Sequence, residues 1–83
     1  MSDQHKIEIL KVLSEDAMAG QAVRYSFNNL SKNIGLSKND IDVYLTELTK
    51  ARFVAQYAKK GVDSFTVEIK PAGLDAVLDG SFN

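Results

Sequence analysis

Apolar positions in this chain fall into short blocks whose spacing shifts from helical to strand-like and back. Over residues 3–19, Ile7, Ile9, Leu10, Val12, Leu13 and Ala17 mostly share one wide arc at about 100° per residue, which predicts a first helix. Ser2 or Asp3 can cap its start, and Gly20 stands where a left-handed C-terminal residue belongs. Val12 lies outside the main arc and Ile7 on its far margin, a stripe broad enough to serve a subunit contact. Residues 23–27 are β-prone and long enough only for an edge or bridging strand. Leu30 and Ile34, four apart and followed by Gly35, predict a two-turn helix over 28–33. Leu36 and Ser37 come next, and Ser37 can accept from the Asp40 amide while Asp40 reaches back, so a third helix starts there. Ile41, Leu45 and Leu48 form its buried stripe with Tyr44 on the margin, and the pattern fades near Ala51 and Arg52.

Beyond that point the period becomes two. Residues 53–58 and 64–70 are strand-like, and Phe65, Val67 and Ile69 alternate with Thr66, Glu68 and Lys70. Gly61, within Lys59-Lys60-Gly61-Val62-Asp63, permits a tight reversal, so the pair reads as a β-hairpin with a basic tip. Pro71 suits the first position of a last helix, Leu74, Val77 and Leu78 give its stripe, and Gly80 stops it.

Composition narrows what such a chain does. At 83 residues it is one domain, 1–83, whose folding hides only about 60% of the unfolded surface, so a partner subunit is expected. The absence of Cys excludes disulfides, thiolate chemistry and Cys-based zinc sites, and the single histidine, His5, cannot build a multi-histidine metal cluster. No apolar run approaches the roughly 18 residues of a membrane span, and the start of the chain is too polar for a signal peptide. A soluble, cytoplasmic protein is the expectation, with no cofactor and no evident small-molecule ligand. Glu15 and Asp16 are adjacent and diverge on a helix, no phosphate loop or nucleophile motif is present, and an enzyme is not expected.

The element order is α+β, mostly α: a three-helix core, a β-hairpin and a C-terminal helix. This order, with Phe27-Asn28-Asn29-Leu30-Ser31-Lys32-Asn33-Ile34-Gly35-Leu36-Ser37, resembles a winged helix-turn-helix domain. Leu30 and Ile34 bury the second helix, Gly35 permits the reversal, Leu36 plugs the corner and Ser37 caps the third helix. Val67-Glu68-Ile69-Lys70-Pro71-Ala72-Gly73-Leu74 is similar to the wing-to-last-helix junction of MarR- and PadR-like regulators, with Lys70 in place of the usual capping Thr. Arg52 also departs from the pattern, since many relatives place Gly there.

The resemblance implies double-stranded DNA as partner, with the third helix in the major groove and the wing on the backbone, which nominates residues 37–50 and 59–63. Residues 21–62 hold seven Lys and Arg against three acidic residues, a net of +4, flanked by −2 before and −3 after. A weakly acidic chain thus carries a basic middle, which is what duplex affinity uses. Opposite Ile41, the third helix presents Asn39, Val43, Thr46 and Lys50, with Asp42 and Glu47 flanking. Asn39 suits an adenine edge, Val43 and Thr46 a thymine methyl, Lys50 phosphate or guanine, and Lys38 lies in the same nominated segment. Lys59 and Lys60 read either as backbone contacts or as solubilising residues at a hairpin tip. Tyr44 and Tyr57 read as core packing and His5 as surface.

Two functions compete. One is a DNA-binding transcriptional regulator, a homodimer through the first and last helices. The other is a winged-helix protein-interaction module, or an antirepressor or accessory factor, whose third-helix face, tempered by Asp42 and Glu47, meets a protein.

Overall fold

The side chains that spacing sets apart meet in one interior: Ile9, Leu10, Leu13, Phe27, Leu30, Ile41, Leu45, Leu48, Val54, Phe65 and Val67 are all buried. Each contributes roughly 1.5–3 kcal/mol of burial before entropy is subtracted. The computed structural model describes residues 3–82. It is an α+β fold of four helices and three strands: α1 (Asp3–Asp16), β1 (Val23–Ser26), α2 (Phe27–Ile34), α3 (Lys38–Lys50), β2 (Val54–Lys60), β3 (Ser64–Ile69) and α4 (Pro71–Asp79). Helices α1, α2 and α3 contact one another, α3 packs on β2, and α4 lies against α1. The sheet is antiparallel in the order β1-β3-β2. Among the described residues no helix is long and apolar enough to cross a membrane.

Local chemistry sets most boundaries. Ser26 accepts from the Asn29 amide at the start of α2, and Gly35, at φ 71°, closes it by donating to the Ser31 carbonyl. Ser37 accepts from the Asp40 amide to open α3. Pro71 opens α4 without a side-chain cap from Lys70, and Gly80 ends it.

Several expectations change. Helix α1 stops at Asp16, three residues early, because Tyr25 on β1 donates its hydroxyl to the Leu13 carbonyl at 2.7 Å, the acceptor the Ala17 amide would otherwise use. Gly20 is left-handed, at φ 72°, but in the turn bridged by Met18 and Gln21. Phe27 belongs to α2 rather than to the strand, its amide donating to the Asp63 carbonyl at 2.7 Å. The first strand of the hairpin starts at Val54 and runs on to Lys60, leaving a turn of Gly61, Val62 and Asp63, and the second ends one residue early, at Ile69.

The largest departure is α4. Its inward residues are Gly73 and Ala76, while Leu74 is 40% and Leu78 83% exposed. A Cβ on Gly73 would stand 2.4 Å from the Phe53 carbonyl oxygen, so this glycine alone lets the helix backbone sit that close, and closeness decides which face turns in. The apolar arc of α1 is used within the chain: Ile7 is buried and Val12 packs on the core.

Candidate nucleic-acid interface

Helix α3 buries Ile41, Leu45 and Leu48, and that choice turns Asn39, Val43, Thr46 and Lys50 outward, all four exposed along one face. Thr46 spends its hydroxyl on the Asp42 carbonyl one turn back, at 2.8 Å, so its methyl is the part left for contact. Glu47 leaves this face by pairing with Lys6 on α1 at 3.0 Å. Of the two flanking carboxylates expected from the helical spacing, only Asp42 remains beside it.

The hairpin reaches this face through an irregularity. Pairing along β2 and β3 slips by one residue between Ala55 and Ala58, with Gln56 left-handed at φ 57°, a β-bulge. Gln56 is held there by donating to Glu68 at 2.8 Å. Because each extra residue inverts the alternation, the bulge carries Tyr57 and Lys59 to the side of α3. Lys59 pairs across from Phe65 and Lys60 across from Ser64, so the two lysines occupy opposite faces of the ribbon. Lys59 therefore faces the α3 side and Lys60 the reverse, both exposed at the end of the hairpin.

Tyr57 packs edge-on against Phe65, as expected of a core aromatic, but its hydroxyl also donates to Asp42 Oδ1 at 2.6 Å. Burial, then the Asp42 hydrogen bond and charge, push the tyrosine's ionisation well above its ordinary range. Lys59 Nζ stands 3.5 Å from Asp42 Oδ2. That ion pair is exposed and worth less than about 1 kcal/mol, so Lys59 can exchange it for another anion at small cost. Lys38, Asn39, Asp42 and Lys59 line an open groove of about 290 Å³ between α3 and β2.

The turn of the hairpin is fastened at two points. Asp63 accepts from the Asn28 amide at 2.9 Å and from the Ser26 hydroxyl at 2.5 Å, capping α2 from across the fold. Lys38 donates to the Val62 carbonyl at 2.5 Å and lies 5.1 Å from the Phe27 ring centre. Lys38 thus braces the groove, whereas Lys50 and Lys60 have no ion pair among the described residues.

Comparison with family models, with curated proteins and with solved structures finds no match for this chain. What this face binds is read from its own residues. The periodicity of α3 locates Asn39, Val43, Thr46 and Lys50 correctly on one exposed face. It misses Asp63 as a latch and Tyr57 as the holder of Asp42, since neither pairing leaves a local signal. His5, expected at the surface, is half-buried with Nδ1 3.4 Å from the Tyr44 hydroxyl. Among the described residues, no group of three or more His, Cys, Asp or Glu is placed to hold a metal ion.

Proposed function

We propose that the chain is a winged helix-turn-helix domain that binds double-stranded DNA as a transcriptional regulator, α3 entering the major groove and the hairpin lying on the backbone. The observation carrying this is the alignment of an exposed Asn39-Val43-Thr46-Lys50 face with a lysine-bearing hairpin fastened beside it. Asn39 and Thr46 reach base edges; Lys50, Lys59 and Lys60 neutralise phosphate. Two copies present two such helices to successive major grooves, joined through α4, where Leu74 and Leu78 stand one turn apart and exposed, with α1 alongside. Binding of this kind involves no catalytic step.

The test is a fluorescence anisotropy titration of random duplex at low and moderate salt. Three phosphate contacts per chain give a slope of log K on log salt of about −3. Changing Lys50 and Lys60 to Ala weakens binding on all sequences alike and reduces the slope by about 2 per chain. Unchanged affinity and slope in that variant reject the assignment.

One observation favours the second reading, a protein-interaction module: two of the lysines at the groove, Lys38 and Lys59, already have partners within the chain, and Val43 is 42% exposed. A stoichiometric protein partner retained after nuclease treatment, with no duplex binding, selects it.

A further inference from the structure

We infer that Asp42 gives the α3–hairpin groove its preference at one base, by accepting a hydrogen bond from the N4 amino group of a cytosine. The inference rests on the duplex-binding reading and adds what that interface discriminates.

A carboxylate on a surface meant for a polyanion repels phosphate, so its presence there weakens binding to every duplex unless a donor meets it. Asp42 is not turned away as Glu47 is. It lines the groove with its side chain 29% exposed, and it is held from two sides, Oδ1 by the Tyr57 hydroxyl at 2.6 Å and Oδ2 by Lys59 at 3.5 Å. An ionised carboxylate offers about four lone-pair positions, so two donors leave acceptor capacity on a group whose rotamer is already set. Fixed orientation favours base readout, because ordering a free side chain costs an amount comparable with what one hydrogen bond returns.

Major-groove edges supply few donors. Guanine presents N7 and O6 and thymine O4, all acceptors, which a carboxylate opposes; adenine's N6 donor stands beside its N7 acceptor; cytosine presents the N4 amino group. A carboxylate therefore favours cytosine, whereas a carboxamide suits adenine, and Asn39 stands three residues before Asp42 on the same helix. The same charge that rejects unmatched duplex rewards one base, so selectivity comes from repulsion as well as attraction. Tyr57 serves as the positioning residue, while Lys59 can leave Asp42 for phosphate when duplex binds.

The experiment selects bound DNA from a duplex pool with a randomised centre, using the full chain and its Asp42→Asn and Tyr57→Phe variants, with anisotropy on the unselected pool alongside. The parent is expected to enrich cytosine at one fixed position by about tenfold. Asp42→Asn abolishes that enrichment, leaves the other preferred positions in place and binds the unselected pool as tightly or more tightly. Tyr57→Phe, which keeps the charge but frees it, lowers the cytosine preference without abolishing it. A parent that binds the pool but prefers no cytosine overturns the inference, as does an Asp42→Asn variant that retains the preference. Uniform tightening in Asp42→Asn with an unaltered profile overturns it too, reducing Asp42 to a neutraliser of Lys59. A parent that binds no duplex defeats the DNA reading itself, and this inference with it.

Discussion

Asp63 ties the hairpin turn to the start of α2, and replacing it with Ala tests whether that tie holds the fold together. The substitution removes the acceptor for the Asn28 amide at 2.9 Å and for the Ser26 hydroxyl at 2.5 Å. It leaves the backbone bond from the Phe27 amide to the Asp63 carbonyl in place. Loss of a capping side chain costs about 0.5–2 kcal/mol, and loss of a negative charge beside a helix N-terminus about 0.3–1 kcal/mol. Both contacts are exposed, so water replaces part of what is lost. The expected cost is about 1.5 kcal/mol, which in a domain of this size lowers the melting temperature by about 9 °C. Asp63→Asn keeps a carbonyl acceptor and gives up the charge, so its loss is about half as large. Urea and thermal unfolding followed by circular dichroism measure both. An Asp63→Ala midpoint within about 0.3 kcal/mol of the parent refutes the latch, and equal losses in the two variants refute the electrostatic share of it.

Other perturbations probe the same geometry. Arg52 is left-handed at φ 67°, with the Phe53 amide donating to the Leu48 carbonyl in the manner of a glycine C-cap, so Arg52→Gly stabilises by about 1 kcal/mol in urea unfolding. Gly73→Ala meets the Phe53 carbonyl at 2.4 Å and Ile69 Cγ1 at 2.9 Å, so it destabilises by about 3 kcal/mol in the same assay; a neutral outcome contradicts the close approach of α4. Burial, and secondarily the charge of Asp16, raise the Tyr25 ionisation to about 12 from its ordinary 10.0. The folded state therefore holds that proton longer than the unfolded chain does. Stability is intact below about pH 10, falls as pH rises towards 12, and falls less steeply in Tyr25→Phe, as pH-dependent unfolding will show. Leu74→Asp with Leu78→Asp gives a monomer by sedimentation where the parent is dimeric; identical sedimentation removes α4 as the contact.

What the sequence discloses is what each element needs locally. Gly35, Ser37, Pro71 and Gly80 mark helix ends by their own chemistry, and Phe65, Val67 and Ile69 are buried as their alternation predicts, although Glu68, read on the other face, is buried beside them. What it conceals is decided by residues distant in the chain. The end of α1 depends on a hydroxyl from β1, and the outward leucines of α4 depend on a carbonyl of Phe53. The candidate site divides the same way. Helical spacing suffices for the face of α3, because one stripe of apolar residues orients the whole helix. The sides taken by Tyr57 and Lys59 depend on a bulge built on Gln56, a residue with no special preference for a left-handed backbone, so nothing nearby announces the inversion.

The glycine that seats α4 has a consequence for how this molecule diversifies. Since backbone rather than side chains makes the tightest part of that junction, Leu78, 83% exposed, contributes little to folding and is open to replacement, and Leu74, 40% exposed, contributes only part of its side chain. In the dimer proposed above, assembly and architecture would thereby be controlled by separate letters of the same nine-residue segment. A descendant can acquire a new companion, or none, through two outward changes while its interior stays as it was.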